Sequence, residues 1–200
     1  MSRDRRRAIL DAATRMFSQH GVRRASVDLI AGQAQVAKPT IYAHFGDKDG
    51  LFVAVCAAVG ERILAEARYA AASDRSVVDR VTAILAAKFS LVFELAQSSP
   101  YAEELLRPAS AAARESIATA DAAYRRVLAD VLGRAAKAGE LDLRHLGLST
   151  AELVSQLLQI GFGASYGATS IDEQRRNLRA LVTSHLRVSV GVSRRVRQRP

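Results

Sequence analysis

The chain has 200 residues, 49% of them hydrophobic, a formal net charge of +9 and a single cysteine, Cys56. That length allows one or two domains with a sizeable core, and the lone cysteine excludes a disulfide framework or a cysteine-based zinc cluster. The basic balance suits a polyanionic partner, while the absence of an evident membrane-length apolar run or signal peptide points to a cytoplasmic protein with no membrane partner.

Arg3, Arg5, Arg6 and Arg7 form a basic head. Behind them Ile9, Ala12, Ala13, Met16 and Phe17 recur at helical spacing, and Gly21 is a helix stop. Two readings stand for these arginines, and for Arg23 and Arg24: a solvated helix end, or non-specific contact with phosphates. Ser26 is placed as the N-cap of a second helix whose apolar face is Val27, Ile30, Ala31 and Ala34, with Asp28 adding negative charge to the first turn. The segment from Gln35 to Ala37 breaks the pattern, and Val36 is placed to plug the angle between helices. Pro39 then fixes a helical φ near the start of a short third helix. Ile41 and Phe45 share one side of it; Pro39, Tyr42 and Ala43 share the opposite side, with Thr40 and His44 on a flank. Two short helices with one buried seam and one polar face match the helix-turn-helix, whose second helix enters the DNA major groove.

Asp47 is placed as the N-cap of a fourth helix, with Lys48 in its first turn. Gly50, inside this helix, is expected to cost about 1 kcal/mol relative to alanine. Phe52, Val55, Cys56, Val59 and Ile63 form its apolar stripe, which makes Cys56 a buried, inert thiol, and the helix runs to about Tyr69. A polar break spans Ser73 to Ser76. From Val77 to Ala96 an apolar stripe includes one charged residue, Lys88. Its stem can lie buried with the ammonium led out to water, or it can face a pocket and pair with an acidic ligand group.

Ser99 and Pro100 are expected to cap and open a short helix that Pro108 interrupts. A long helix follows from Ala109 to Ala138, with Tyr124, Val127, Leu128, Val131 and Leu132 inward and Gly139 at its end. Residues 141–147 read as a loop or weak turn. Ser149 or Thr150 caps the next helix, where Leu153, Val154, Leu157, Leu158, Ile160, Gly161 and Ala164 cover a broad arc. Such a helix must be covered on more than one side; one side can be its own core and the other a partner chain. Asp172 and Glu173 open the last helix, striped with Ile171, Leu178, Leu181, Val182, His185 and Leu186. His185 has no second His or acid at ligand spacing, so no metal is expected. Arg194, Arg195, Arg197 and Arg199 read as a disordered basic tail. No repeat, strand, nucleophile elbow, Walker loop or metal-binding His pair is evident, so neither an enzyme nor a cofactor is expected.

The block from Ser26 to Leu51 resembles the tetracycline-repressor (TetR) family of bacterial regulators. Ile30-Ala31, Ala34, Val36, Thr40-Ile41-Tyr42, His44-Phe45, Lys48-Asp49 and Leu51 carry the resemblance. Three positions depart from the family's commonest wording: Gln35 and Pro39 stand where Gly is usual or frequent, and Ala37 where a capping Ser is usual. The resemblance implies an all-α fold. Residues 1–70 would be an N-terminal three-helix helix-turn-helix DNA-binding domain with its connecting fourth helix. Residues 71–190 would be a C-terminal helical ligand-binding and dimerisation domain, and 191–200 a basic disordered tail.

The implied function is that of a homodimeric regulator, a repressor, bound to palindromic double-stranded operator DNA and released by an unidentified small-molecule effector. Lys38, Thr40 and Tyr42 would reach bases or their surroundings beside Pro39, while Ser26, His44 and Lys48 would contact phosphates. The last two helices would form an intersubunit four-helix bundle through Leu153, Leu157, Ile160, Gly161, Ala164, Leu178, Leu181, Val182 and His185. A ligand cavity would draw on Lys88, Phe89, Phe93, Gln97, Tyr101, Tyr124, Gln156 and Phe162, residues that are equally suited to plain core. The alternatives are a DNA-binding regulator with no ligand and, from another class, a helical small-molecule enzyme.

Overall fold

The computed structural model describes residues 3–196. It forms ten helices among those residues, with no strand: α1 Arg3–Arg24, α2 Val27–Gln33, α3 Lys38–Phe45, α4 Lys48–Ala71, α5 Val77–Ser98, α6 Ala102–Leu106, α7 Ala111–Lys137, α8 Leu143–Leu146, α9 Thr150–Gly163 and α10 Ile171–Val196. The chain divides into two compact units, Met1–Arg62 with Leu95–Asp121, and Ile63–Glu94 with Ala122–Pro200. The divisions fall inside α4, α5 and α7 rather than at the Ser73–Ser76 break.

The first unit is built on the apolar stripe of α1. Ile9, Ala12, Ala13, Met16 and Phe17 are buried with Val27, Ile30 and Ala31 of α2, Ile41 of α3, and Leu51, Phe52 and Val55 of α4. The Phe17 and Phe52 rings meet edge to face with centroids 5.3 Å apart, the arrangement their quadrupoles favour. Helical backbone breaks at Gly21, with φ 74° and ψ 160°, as a stop signal there requires. Residues 95–121 complete this unit: Ala113 is buried in the same core and Leu105 packs against it. α6 is fastened to the end of α1 by the Ser99 hydroxyl, which donates to the Ser18 carbonyl at 2.6 Å and accepts from the Tyr101 N–H at 3.1 Å. Tyr101 is the N-cap residue, so Pro100 lies ahead of α6 and does not occupy its first turn.

The second unit has its own core. Val77, Val81, Ile84, Leu85 and Phe89 of α5 pack with Tyr124, Leu128, Val131 and Leu132 of α7, Leu153 and Leu157 of α9, and Leu178, Val182 and Leu186 of α10. This corrects the expectation that no run is long enough for a membrane. Val77–Ser98 reaches that length and apolarity, but its stripe is covered by the other helices, as in a core helix. The segment expected as a loop at 141–147 holds the one-turn helix α8, because the Asp142 carboxylate caps the N–H groups of Arg144 and His145. Ser149 caps α9 in a reciprocal box with Glu152. α10 continues to Val196, so the tail expected from 191 begins as helix; Arg197 and Arg199 lie outside the described residues.

Candidate nucleic-acid interface

The positions of α2 and α3 follow from three local devices. The Ser26 hydroxyl accepts from the Leu29 N–H at 3.4 Å and starts α2. Gln35 then turns the chain with φ 52°, the one non-glycine residue with positive φ among those described. This is the position where the family commonly has glycine, and the left-handed conformation explains why. Val36 is partly buried against the core, as expected of a plug between the helices. Ala37 is extended and caps α3 without a side chain, and Pro39 sits in the first turn where its missing N–H costs no helical bond.

Ile41 is fully buried, so the orientation of α3 about its axis is fixed by the core. The opposite side, Pro39, Tyr42, Ala43 and His44, is exposed, and Lys38 and Thr40 are intermediate. Tyr42, 40% exposed, is therefore not a core partner of Phe45. The Phe45 ring is partly buried and lies beneath the Arg6 guanidinium, 5.7 Å from the ring centroid. That contact places one arginine of the basic head beside the end of α3. Arg7 is paired with Asp11 on its own helix at 3.8 Å.

The two lysines of this region are engaged within the protein. Lys48 Nζ donates to the carbonyls of Arg23 at 2.6 Å and Ala25 at 3.5 Å, tying α4 to the turn that precedes α2. The expected phosphate clamp is thus, first, a staple between helix ends. Lys38 Nζ donates to the Asp28 carboxylate at 2.9 Å, across the turn between α2 and α3. The hydrogen bond Lys38 donates to the Asp28 carboxylate is the main reason the Lys38 pKa is raised above its ordinary value, with partial desolvation opposing it. Asp28 is thus more than the helix-start charge expected of it. The ten-residue separation across a helix-turn-helix was the available signal for this pairing.

Asp47 caps α4 as expected, accepting from the Gly50 N–H at 2.7 Å. Gly50 has a second reason to be glycine: a Cβ there would lie 2.1 Å from the Phe45 carbonyl oxygen. α3 and α4 can approach this closely only because no side chain intervenes. Cys56 is half-buried, and burial pushes its thiol pKa up to about 11.

The residues expected to line a ligand cavity fall in both compact units. Lys88, Phe89, Tyr124 and Phe162 are neighbours in the second unit. The Lys88 ammonium lies 5.6 Å and 5.3 Å from the Phe89 and Tyr124 ring centroids, and the Phe89 and Phe162 rings meet edge to face at 4.8 Å. Phe89 and Tyr124 are core side chains, and the Tyr124 hydroxyl donates to the Ile84 carbonyl at 2.8 Å. Phe93 is buried, while the Gln156 Oε1 is buried without a hydrogen-bond partner. Gln97 is exposed and belongs to the first unit. Tyr101 also belongs there: its hydroxyl accepts from Arg24 Nη1 at 3.3 Å, while Glu104 accepts from the Arg23 N–H at 3.3 Å. Tyr101 is the N-cap residue of α6, whose start is fastened to the end of α1. Seventy-seven residues separate Tyr101 from Arg24, so no local pattern could announce that contact. One open groove of about 480 Å³ in the second unit is lined by Arg68, Ala71, Ala72, Val127, Asp130 and Arg134, none of them on the expected list.

The residues expected at a chain–chain interface also divide. Leu153, Leu157, Gly161, Ala164, Leu178 and Val182 are buried in the chain's own core, so they cannot also meet a partner. The broad apolar arc of α9 is filled from within, by Phe89 lying against Gly161 among others. Ile160 and His185 are half-buried and Leu181 is 42% exposed. The large apolar side chains left exposed along α9 and the start of α10 are Phe162, Tyr166 and Leu181. Among the described residues no group of three or more His, Cys, Asp and Glu side chains could hold a metal.

A buried seam that orients α3 with a polar face outward defines a helix-turn-helix protein, followed here by a helical C-terminal part. Residues 9–55 match the family described as bacterial regulatory proteins, tetR family. An HTH-type transcriptional regulator of Bacillus subtilis, YhgD, is 48% identical over 52 residues, which is 26% of this chain and 27% of that protein. The chain therefore aligns with only about a quarter of that relative's length. Across the whole fold, a TetR-family transcriptional regulator from Rhodococcus sp. superposes with a TM-score of 0.71 at 24% identity, covering 92% of this chain and 100% of that one. The transcriptional regulator FadR from Bacillus subtilis, in complex with stearoyl-CoA, superposes with a TM-score of 0.65 at 22% identity, covering 92% and 97%. Residues 9–55 thus carry the tetR-family sequence match, and the chain as a whole shares the fold of TetR-family regulators.

Proposed function

We propose that the protein is a dimeric transcriptional repressor acting in the cytoplasm. Its α3 reads the major groove of a palindromic operator, and a small-molecule ligand releases it. One observation carries the DNA-binding reading: Ile41 is fully buried while Pro39, Tyr42, Ala43 and His44 of the same short helix are exposed. A helix held by its back in this way presents a rigid edge about as wide as a major groove. Thr40 and Tyr42 are the side chains we assign to bases and their flanking sugars, with Ser26 and His44 at phosphates. A dimer supplies two copies of α3, hence two half-sites related by two-fold symmetry. Among the interface candidates Leu181, Ile160 and His185, together with exposed Phe162, remain at least partly accessible to a partner chain.

Selection of bound duplexes from a random pool is the test. A two-fold symmetric consensus is expected, and loss of its half-site preference in a Tyr42→Ala variant ties it to α3. A pool that shows no enrichment at moderate salt overturns the reading.

A second reading, regulation without an effector, has its own support. Phe89 and Tyr124, two of the residues expected to line a cavity, are fully buried core side chains. FadR of Bacillus subtilis carries stearoyl-CoA on a similar fold, which makes a long-chain acyl-CoA the first ligand to try. A ligand specific to the folded state raises the melting temperature in proportion to the logarithm of its excess over Kd, and one that also lowers operator affinity is the effector. No shift with stearoyl-CoA or a metabolite panel favours the effector-free reading.

A further inference from the structure

Lys38 is the only Lys or Arg on α3, and its ammonium is held by Asp28 at 2.9 Å. Asp28 lies in the first turn of α2, two residues after the Ser26 cap, and its carboxylate is 69% exposed. The pair therefore spans the turn of the helix-turn-helix on the side open to solvent. Lys48, the other lysine of this region, is committed to two backbone carbonyls. The helix that offers itself to DNA thus has its one strong cation already matched by a carboxylate. A duplex offers the same chemistry, an anionic oxygen, and must compete with Asp28 for it.

Resting on the DNA-binding reading above, we propose that Asp28 is a specificity-determining residue, which withdraws Lys38 from indiscriminate contact with phosphates. Non-specific affinity is made almost wholly of cation–phosphate contacts, each releasing counterions and adding about 0.9 to the slope of log K against log salt. Sequence-specific affinity also draws on base contacts from Thr40 and Tyr42, which Asp28 does not touch. A carboxylate that neutralises Lys38 therefore lowers the first kind of binding more than the second. Exposed ion pairs shift an equilibrium modestly, by about two- to five-fold, which is the scale of discrimination expected from one such residue.

The test uses the full-length protein and two duplexes, the operator found by selection and a scrambled duplex of equal length. Asp28→Asn keeps the shape of the side chain while removing its charge. It is expected to tighten binding to the scrambled duplex by about two- to five-fold and to steepen its salt slope by about 0.9. Operator affinity is expected to rise by less. Asp28→Asn also lessens repulsion between protein and DNA, so the decisive arm repeats it in a Lys38→Ala background. If Asp28 acts through Lys38, its replacement there leaves the scrambled-duplex slope unchanged. Equal tightening in both backgrounds overturns the inference and leaves the DNA-binding reading intact. So does a Lys38→Ala slope on scrambled duplex that is already flatter than wild type by about 0.9. Wild-type protein that binds neither duplex at low salt overturns both. Melting curves of each variant confirm that the comparison is between folded proteins.

Discussion

Replacing Gly50 by alanine sets two effects against each other. Helix propensity favours the change, since glycine in a helix interior is about 1 kcal/mol worse than alanine. The geometry opposes it, since the new Cβ would stand 2.1 Å from the Phe45 carbonyl oxygen, where real Cβ atoms do not come within 3.0 Å. Close to an ångström of movement is needed to relieve that overlap. The Gly50 N–H is fixed to Asp47, and the Phe45 carbonyl also accepts from the Asp47 N–H, so the strain falls on the end of α3. Overpacking of this kind costs about 1–3 kcal/mol, which outweighs the propensity gain and leaves a net loss of about 1 kcal/mol. For a chain of this size that lowers Tm by about 2–4 °C. Gly32 in α2 is the internal control, because a Cβ there would meet nothing within 4 Å. Gly32→Ala should raise Tm by a similar amount. Thermal melts followed by circular dichroism measure both. A Gly50→Ala protein that melts at or above the wild-type temperature would refute the close-approach argument.

Gln35 occupies left-handed backbone at φ 52°, which costs a side-chain-bearing residue about 1–2 kcal/mol, partly offset by the extra unfolded-state entropy of glycine. Gln35→Gly should therefore stabilise the protein by up to about 1 kcal/mol in urea denaturation, and a loss of stability contradicts the turn geometry. Lys48→Ala removes the donor shared by the Arg23 and Ala25 carbonyls, and should lower stability by about 1 kcal/mol even with no DNA present. If only DNA affinity falls, with a salt slope flatter by about 0.9, the residue is a phosphate contact and not a staple. Cys56, with its pKa pushed up to about 11 from an ordinary 9.0, should carry on the order of a hundredfold less thiolate at pH 8 than an unperturbed thiol. Its alkylation rate should then keep rising with pH until about 11; a plateau near pH 9 speaks against the burial.

The helix-turn-helix was legible because its signals are local. Ser26, Asp47 and Gly21 act on backbone within a turn of themselves, and the 3.6-residue spacing of Ile9 to Phe17 and of Val27 to Ala34 names the buried side of each helix without reference to any other. The outward face of α3 followed from the same spacing, once Ile41 and Phe45 were placed inside. The second unit was read less well. An apolar stripe announces that a side is covered but not by what, so Leu153, Leu157 and Val182 suited a partner chain as well as the internal core they join. The Lys88 stripe position did not say what its ammonium meets, and folding lays it near the rings of Phe89 and Tyr124. The sequence by itself determined where helices start, stop and hide, because capping and periodicity act over a few residues. Tertiary structure alone decided which cation meets which carboxylate, why Gly50 must lack a side chain, and which apolar residues are already spent, because those depend on groups that only folding brings within a few ångströms.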